Sequence, residues 1–207
     1  TLAPILPKKL LTLNLVFKSA VSLALLLPEN LTHLSIVDLC EVSKKPDASR
    51  PIFLPGWSQL LPRSLEHLAV RVAHPYLETA SIGHLSALTR LRHLEMRSFT
   101  RTASGFSSQL LQRLPPSLKL LHAPVAESFA SEHLSMAKFS LLRRLVLIGA
   151  RLEGLTLNFV NDLPVSLSSL VVCTTTKMPH RAVGTTVAQR FNEKKIAVRW
   201  IASEEHI

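Results

Sequence analysis

The chain has 207 residues, 47% apolar and 18% charged, which suits one substantial domain and excludes a disordered or low-complexity chain. Its 24 Lys and Arg outnumber 14 Asp and Glu, and the formal charge of +10 favours nucleic acid, acidic protein or anionic lipid as neighbours. No apolar run approaches the ~18 residues of a membrane span. Two cysteines, Cys40 and Cys173, cannot build a disulfide framework, so the expected setting is intracellular and reducing.

The chain opens at Thr1, as a processed product or an excerpt does. Its first regular feature is Leu10-Leu11-Thr12-Leu13-Asn14-Leu15, a Leu-x-x-Leu-x-Leu pattern. The pattern returns from Leu31 to Ile36. A loop insertion follows near 43–56, carrying Lys44-Lys45-Pro46-Asp47. The third copy runs from Leu65 to Val70. Leu77, Ile82, Leu85, Leu88 and Leu91 then recur at near-helical spacing before the fourth, Leu91 to Met96. The fifth spans Leu118 to Ala123, and a second helical run, Phe129, Leu134, Ala137, Leu141 and Leu145, overlaps the sixth. The seventh spans Leu167 to Val172, and a degenerate eighth is expected with Ile196 in the place of the second leucine, Val198 and Trp200 alternating after it.

The second leucines stand at 13, 34, 68, 94, 121, 145 and 170, at intervals of 21, 34, 26, 27, 24 and 25. A fixed period of this kind marks stacked supersecondary units, each unable to bury its own apolar face alone. The last two leucines of each copy sit two apart, so on a strand they share the inward face. Pro7, Pro28, Pro62, Pro115 and Pro164 precede the copies and turn the chain into the strand.

The pattern resembles the leucine-rich-repeat family, in an irregular form with Leu-Pro-x-Ser-Leu at 61–65, 114–118 and 163–167. The resemblance implies an α/β solenoid, a curved parallel sheet with helices or irregular coils on its convex side. Residues 1–207 then form a single domain of about seven repeats and a degenerate C-terminal capping repeat. The family's Asn, five residues after the second leucine, is replaced here by Lys18, Leu39, Ala73, Phe99, Ala126, Ala150 and Thr175.

Alternation points the intervening residues to the concave face. Outward columns read Thr12, His33, His67, His93, Leu120, Arg144, Ser169, then Asn14, Ser35, Ala69, Glu95, His122, Val146, Val171. A third reads Val16, Val37, Arg71, Arg97, Pro124, Ile148, Cys173. His67, Arg71, His93, Glu95 and Arg97 make a polar, mainly basic centre, while Leu120, Val146, Ile148 and Val171, with Arg144 beside them, make an apolar patch on the same face. Together they form the expected partner-binding surface. Three histidines on consecutive strands point alike rather than converging, so no metal is expected.

No Gly-rich phosphate loop, Gly-x-Ser-x-Gly, His-Glu-x-x-His or Cys-x-x-Cys occurs, so the chain reads as a non-enzyme without cofactor or small-molecule substrate. The expected function is a protein-binding scaffold module, a subunit of a larger assembly. The alternative is a basic accessory subunit of a ribonucleoprotein, for example ribosomal, particle that contacts RNA phosphates. At the C-terminus, Arg190, Glu193, Lys194, Lys195, Arg199, Glu204 and Glu205 suggest a polar cap. The first coil has no such element, and Leu10, Leu13 and Leu15 are expected to need cover from further sequence or another chain.

Overall fold

The structure, a computed structural model, describes residues 6–17, 27–38, 57–72, 85–98, 111–124, 136–149, 156–174 and 185–202. Eight strands form one sheet: β1 (Thr12–Phe17), β2 (His33–Asp38), β3 (His67–Val72), β4 (His93–Ser98), β5 (Leu120–Pro124), β6 (Arg144–Ile148), β7 (Ser169–Thr174) and β8 (Ala197–Ala202). Their spatial order is their sequence order, and every neighbouring pair is parallel. This is an open parallel sheet with few helices, the arrangement expected of a repeat solenoid.

The repeated leucines set the register. Leu13, Leu34, Leu68, Leu94, Leu121, Leu145 and Leu170 are direct partners across successive strands. From Leu34 to Leu170 these side chains are at most 2% exposed. Burying each contributes roughly 1.5–3 kcal/mol, and a slip of one residue would turn the whole row to water. Leu10, Leu13 and Leu15, on the strand at the sheet edge, are only partly buried, and Leu11 and Val16 beside them are more than half exposed.

Before each of β2 to β7, one carbonyl of the preceding coil accepts two amides, and before β8 Ser168 O accepts Ala197 N alone. Thr32 O takes Glu66 N and His67 N at 2.9 Å, Glu66 O takes Arg92 N and His93 N, and Arg92 O takes Lys119 N and Leu120 N. Lys119 O and Arg143 O continue the ladder into β6 and β7. The proline turns close just ahead of it, with Leu31 N donating to Pro28 O, Leu65 N to Pro62 O and Leu167 N to Pro164 O at 3.0–3.1 Å.

Serine and lysine supply side-chain bonds from coil to coil, while Lys18, Leu39, Ala73, Phe99, Ala126, Ala150 and Thr175 lie outside the described residues. In each Leu-Pro-x-Ser-Leu turn the serine hydroxyl donates to the first leucine's carbonyl one coil back. Ser64 reaches Leu31 O at 2.7 Å, Ser117 reaches Leu91 O at 2.8 Å and Ser166 reaches Leu142 O at 2.8 Å. Between these coils, Lys138 Nζ donates to Leu114 O at 2.9 Å and to Gln112 O, and Lys194 Nζ to Leu163 O at 3.0 Å and Asn161 O at 2.7 Å. Those carbonyls end short helical turns, where they lack intrahelical partners and favour a cation.

Two α-helices lie wholly among the described residues, α1 (Leu157–Asp162) and α2 (Thr185–Glu193), together with 3₁₀ turns at Trp57–Leu60 and Leu85–Ala87. Thr156 caps α1 by accepting from Phe159 N at 3.3 Å. At the end of α2, Lys195 N donates to Asn192 O and Ile196 N to Phe191 O, with Lys195 at φ 56°. This is a Schellman ending, its apolar contact supplied by buried Ile196 and Phe191. The side chain of Arg190 pairs with Glu193 within α2 at 2.7 Å and bonds Asn161 Oδ1 at 2.8 Å, which fastens α2 onto the preceding coil. Glu204 and Glu205 lie outside the described residues.

Three expectations need correction or fall outside view. Val198, not Ile196, occupies the second-leucine slot of the eighth coil, paired with Leu170. A two-residue slip keeps the same face inward, so alternation alone did not fix it. Residues 136–142 form turns rather than helix, and burial there follows Met136, Phe139 and Leu142, leaving Ala137 and Leu141 exposed. The insertion near 43–56, Cys40, Leu77, Ile82, Phe129 and Leu134 lie outside the described residues, whereas Leu85, Leu88 and Leu91 are buried but sit on a 3₁₀ turn and the turn after it rather than on an α-helix. No helix of the described residues is long and apolar enough to cross a membrane.

Candidate functional site

The parallel register places the predicted residues side by side on one face. His33, His67 and His93 are direct partners on β2, β3 and β4, and Arg71 partners Arg97. The rings of His33 and His67 stack with centroids 4.1 Å apart and 11° between planes, while His67 and His93 meet edge to face at 4.1 Å. The Nδ1 atoms of His67 and His93 lie 2.6 Å apart, so one must carry the proton and the other accept it. Burial lowers the pKa of both rings, with positive charge adding to the effect: His93 and His33 act on His67, and Lys119, His33 and Arg92 on His93. Among the described residues, no group of three or more His, Cys, Asp or Glu is placed to hold a metal ion.

Next to the histidines, a single carboxylate serves two guanidiniums. Glu95 Oε1 accepts from Arg71 Nη2 at 3.1 Å and lies 2.8 Å from Arg97 Nε. The second approach is an ion pair by distance, but the Arg97 N–H points away from the line a hydrogen bond needs. Among the described residues, the Nε atoms of Arg71 and Arg97 are both buried and neither donates to an acceptor. The cluster therefore keeps excess positive charge and unmet donors on a half-exposed face. His122, opposite Glu95 on β5, is held at about 4, first by burial and then by Arg97, so it is neutral near pH 7. Burial also raises the Cys173 thiol, with Arg97 opposing, which leaves this free cysteine a poor nucleophile.

The apolar half of the face differs from expectation. Leu120 and Ile148 are partly exposed and Arg144 is exposed, but Val146 and Val171 are only 7% and 6% exposed within this chain. These two valines consolidate the sheet rather than form an open patch.

A second feature lies outside the strand alternation. Immediately before the strands, the first variable position of successive copies reads Thr32, Glu66, Arg92, Lys119, Arg143, Ser168. Arg92, Lys119 and Arg143, with Arg90 from a turn, line a groove of about 660 Å³ along the rim at the strands' N-terminal ends. Glu66, Thr89, Ser117, Ser140, Leu141 and Ser166 complete it. Reading that one column across the repeats exposes the stripe in the sequence itself.

Comparison with family models, with curated proteins and with solved structures finds no match for this chain.

Proposed function

We propose that the chain is a leucine-rich-repeat solenoid acting as a non-catalytic protein-binding module, a scaffold subunit of a larger assembly. The observation that carries this reading is Glu95 shared between Arg71 and Arg97, one carboxylate for two partly exposed guanidiniums at the centre of the concave face. An acidic side chain of a partner would supply a second carboxylate to their exposed parts, and charge-assisted bonds of this kind are the stronger class. Leu120, Ile148 and the aliphatic stem of Arg144 give the partner apolar contact beside that anchor. The inward leucine ladder and the proline turns support the family resemblance.

The test is Arg71→Glu with Arg97→Glu in the native complex. Both side chains are partly exposed, so the double variant is expected to fold and to lose its protein partner on co-purification. A folded double variant that keeps every partner would overturn the proposal. Val146→Asp and Val171→Asp test something else, because both sites are buried and the substitutions strike folding first.

A further inference from the structure

The rim groove is independent of the concave face and has its own chemistry. The shared-carbonyl ladder fixes Glu66, Arg92, Lys119 and Arg143 one strand apart. At roughly 4.8 Å per strand, the three cations span about 10 Å. That length covers about four phosphates of a stacked strand, whose charges recur every ~3.4 Å. Among the described residues, no carboxylate pairs with Arg90, Arg92, Lys119 or Arg143, and their positive charge is free to act outward. It also acts inward, because Lys119 and Arg92 help lower the pKa of His93.

The lining discriminates between polyanions. A peptide groove draws affinity from apolar anchors in pockets, and here Leu141 is the one apolar lining residue. No lining residue is aromatic, so bases have nothing to stack on. The hydroxyls of Ser117 and Ser166 are already donated to backbone carbonyls, which leaves recognition to the guanidinium and ammonium groups with Thr89 and Ser140 beside them. We propose that Arg90, Arg92, Lys119 and Arg143 form a groove that holds the phosphodiester backbone of single-stranded RNA without regard to base sequence.

The probe is a fluorescent oligouridine of about 20 nucleotides, titrated by anisotropy with the full chain over a range of salt concentrations. Four phosphate contacts predict a slope of log K against log salt of about −2.8, and each single Arg or Lys→Gln change in the groove should reduce its magnitude by about 0.7. The triple variant Arg92→Gln, Lys119→Gln, Arg143→Gln should lower affinity on the order of 100-fold at ~0.1 M salt. If the triple variant does not fold, the four single variants carry the same measurement. Lys8→Gln with Lys9→Gln and Arg199→Gln removes equal charge from exposed sites elsewhere and should leave the slope unchanged. Equal weakening by that control would reduce the binding to net charge and overturn the proposal. Displacement of the RNA by polyglutamate at equal charge concentration would overturn it too, by marking the groove as a site for acidic protein. Arg71→Glu with Arg97→Glu should lose the protein partner and keep the RNA, so this proposal and the concave-face reading fail separately.

Discussion

Acidification probes the neutral ring at the centre of the sheet. His122 ordinarily titrates at 6.5 but is held at about 4 by burial and by Arg97, with Arg144 and Arg71 adding to the effect and Glu95 opposing it. Below pH 6.5 the unfolded chain takes up a proton that the folded ring refuses. The stabilisation is therefore complete above pH 6.5, declines as pH falls toward 4, and is gone below that. At about 1.4 kcal/mol per pH unit the interval corresponds to ~3 kcal/mol, and solvent screening of this half-buried ring reduces it to about 1–2 kcal/mol. The assay is urea unfolding followed by circular dichroism at pH 7.5 and pH 4, on the wild type and on His122→Gln. The wild type should lose about 1–2 kcal/mol more than the variant between those pH values. Parallel losses, or an NMR titration that places His122 near its ordinary value, would refute the reasoning.

Leu94→Ala, at a fully buried site in mid-sheet, should cost about 2–5 kcal/mol in urea unfolding. Leu13→Ala, in the same register column but only partly buried, should cost roughly half as much or less. Lys195→Gly removes a side chain from a left-handed residue at the end of α2, and should raise stability by about 1 kcal/mol, read as a higher Tm.

Much of the fold was legible because one physical demand, an inward leucine pair on every coil, recurs often enough to fix strands, direction and register together. The histidine column and the Arg71–Arg97 pairing followed from that register. Glu95 was visible as a neighbour, but its sharing between two arginines depends on a diagonal reach that columns do not express. Burial of Val146 and Val171 was missed because alternation assigns a direction and does not say how far the rest of the chain covers that face. The phase at 136–142 was misread because helical spacing was carried into a segment that turns around Met136, Phe139 and Leu142. The rim stripe was present as a column of single residues, yet it precedes the strands and so escaped a reading built on strand faces.

The side-chain bonds between coils carry a consequence for how such a chain changes length. From the fourth coil onward they alternate: serine joins the fourth and fifth, lysine the fifth and sixth, serine the sixth and seventh, lysine the seventh and eighth. Within that stretch a serine reaches back to a coil without the proline turn and a lysine to one that has it, whereas Ser64 reaches back to Leu31 O of the second coil, which has a proline turn of its own. A serine donor therefore accepts either kind of coil behind it. Excising the sixth coil would set Ser166 against the proline turn of the fifth, a match that the second and third coils already make. Excising the fifth would set Lys138 against a turn of the other kind, so the lysine coil is the more dispensable unit.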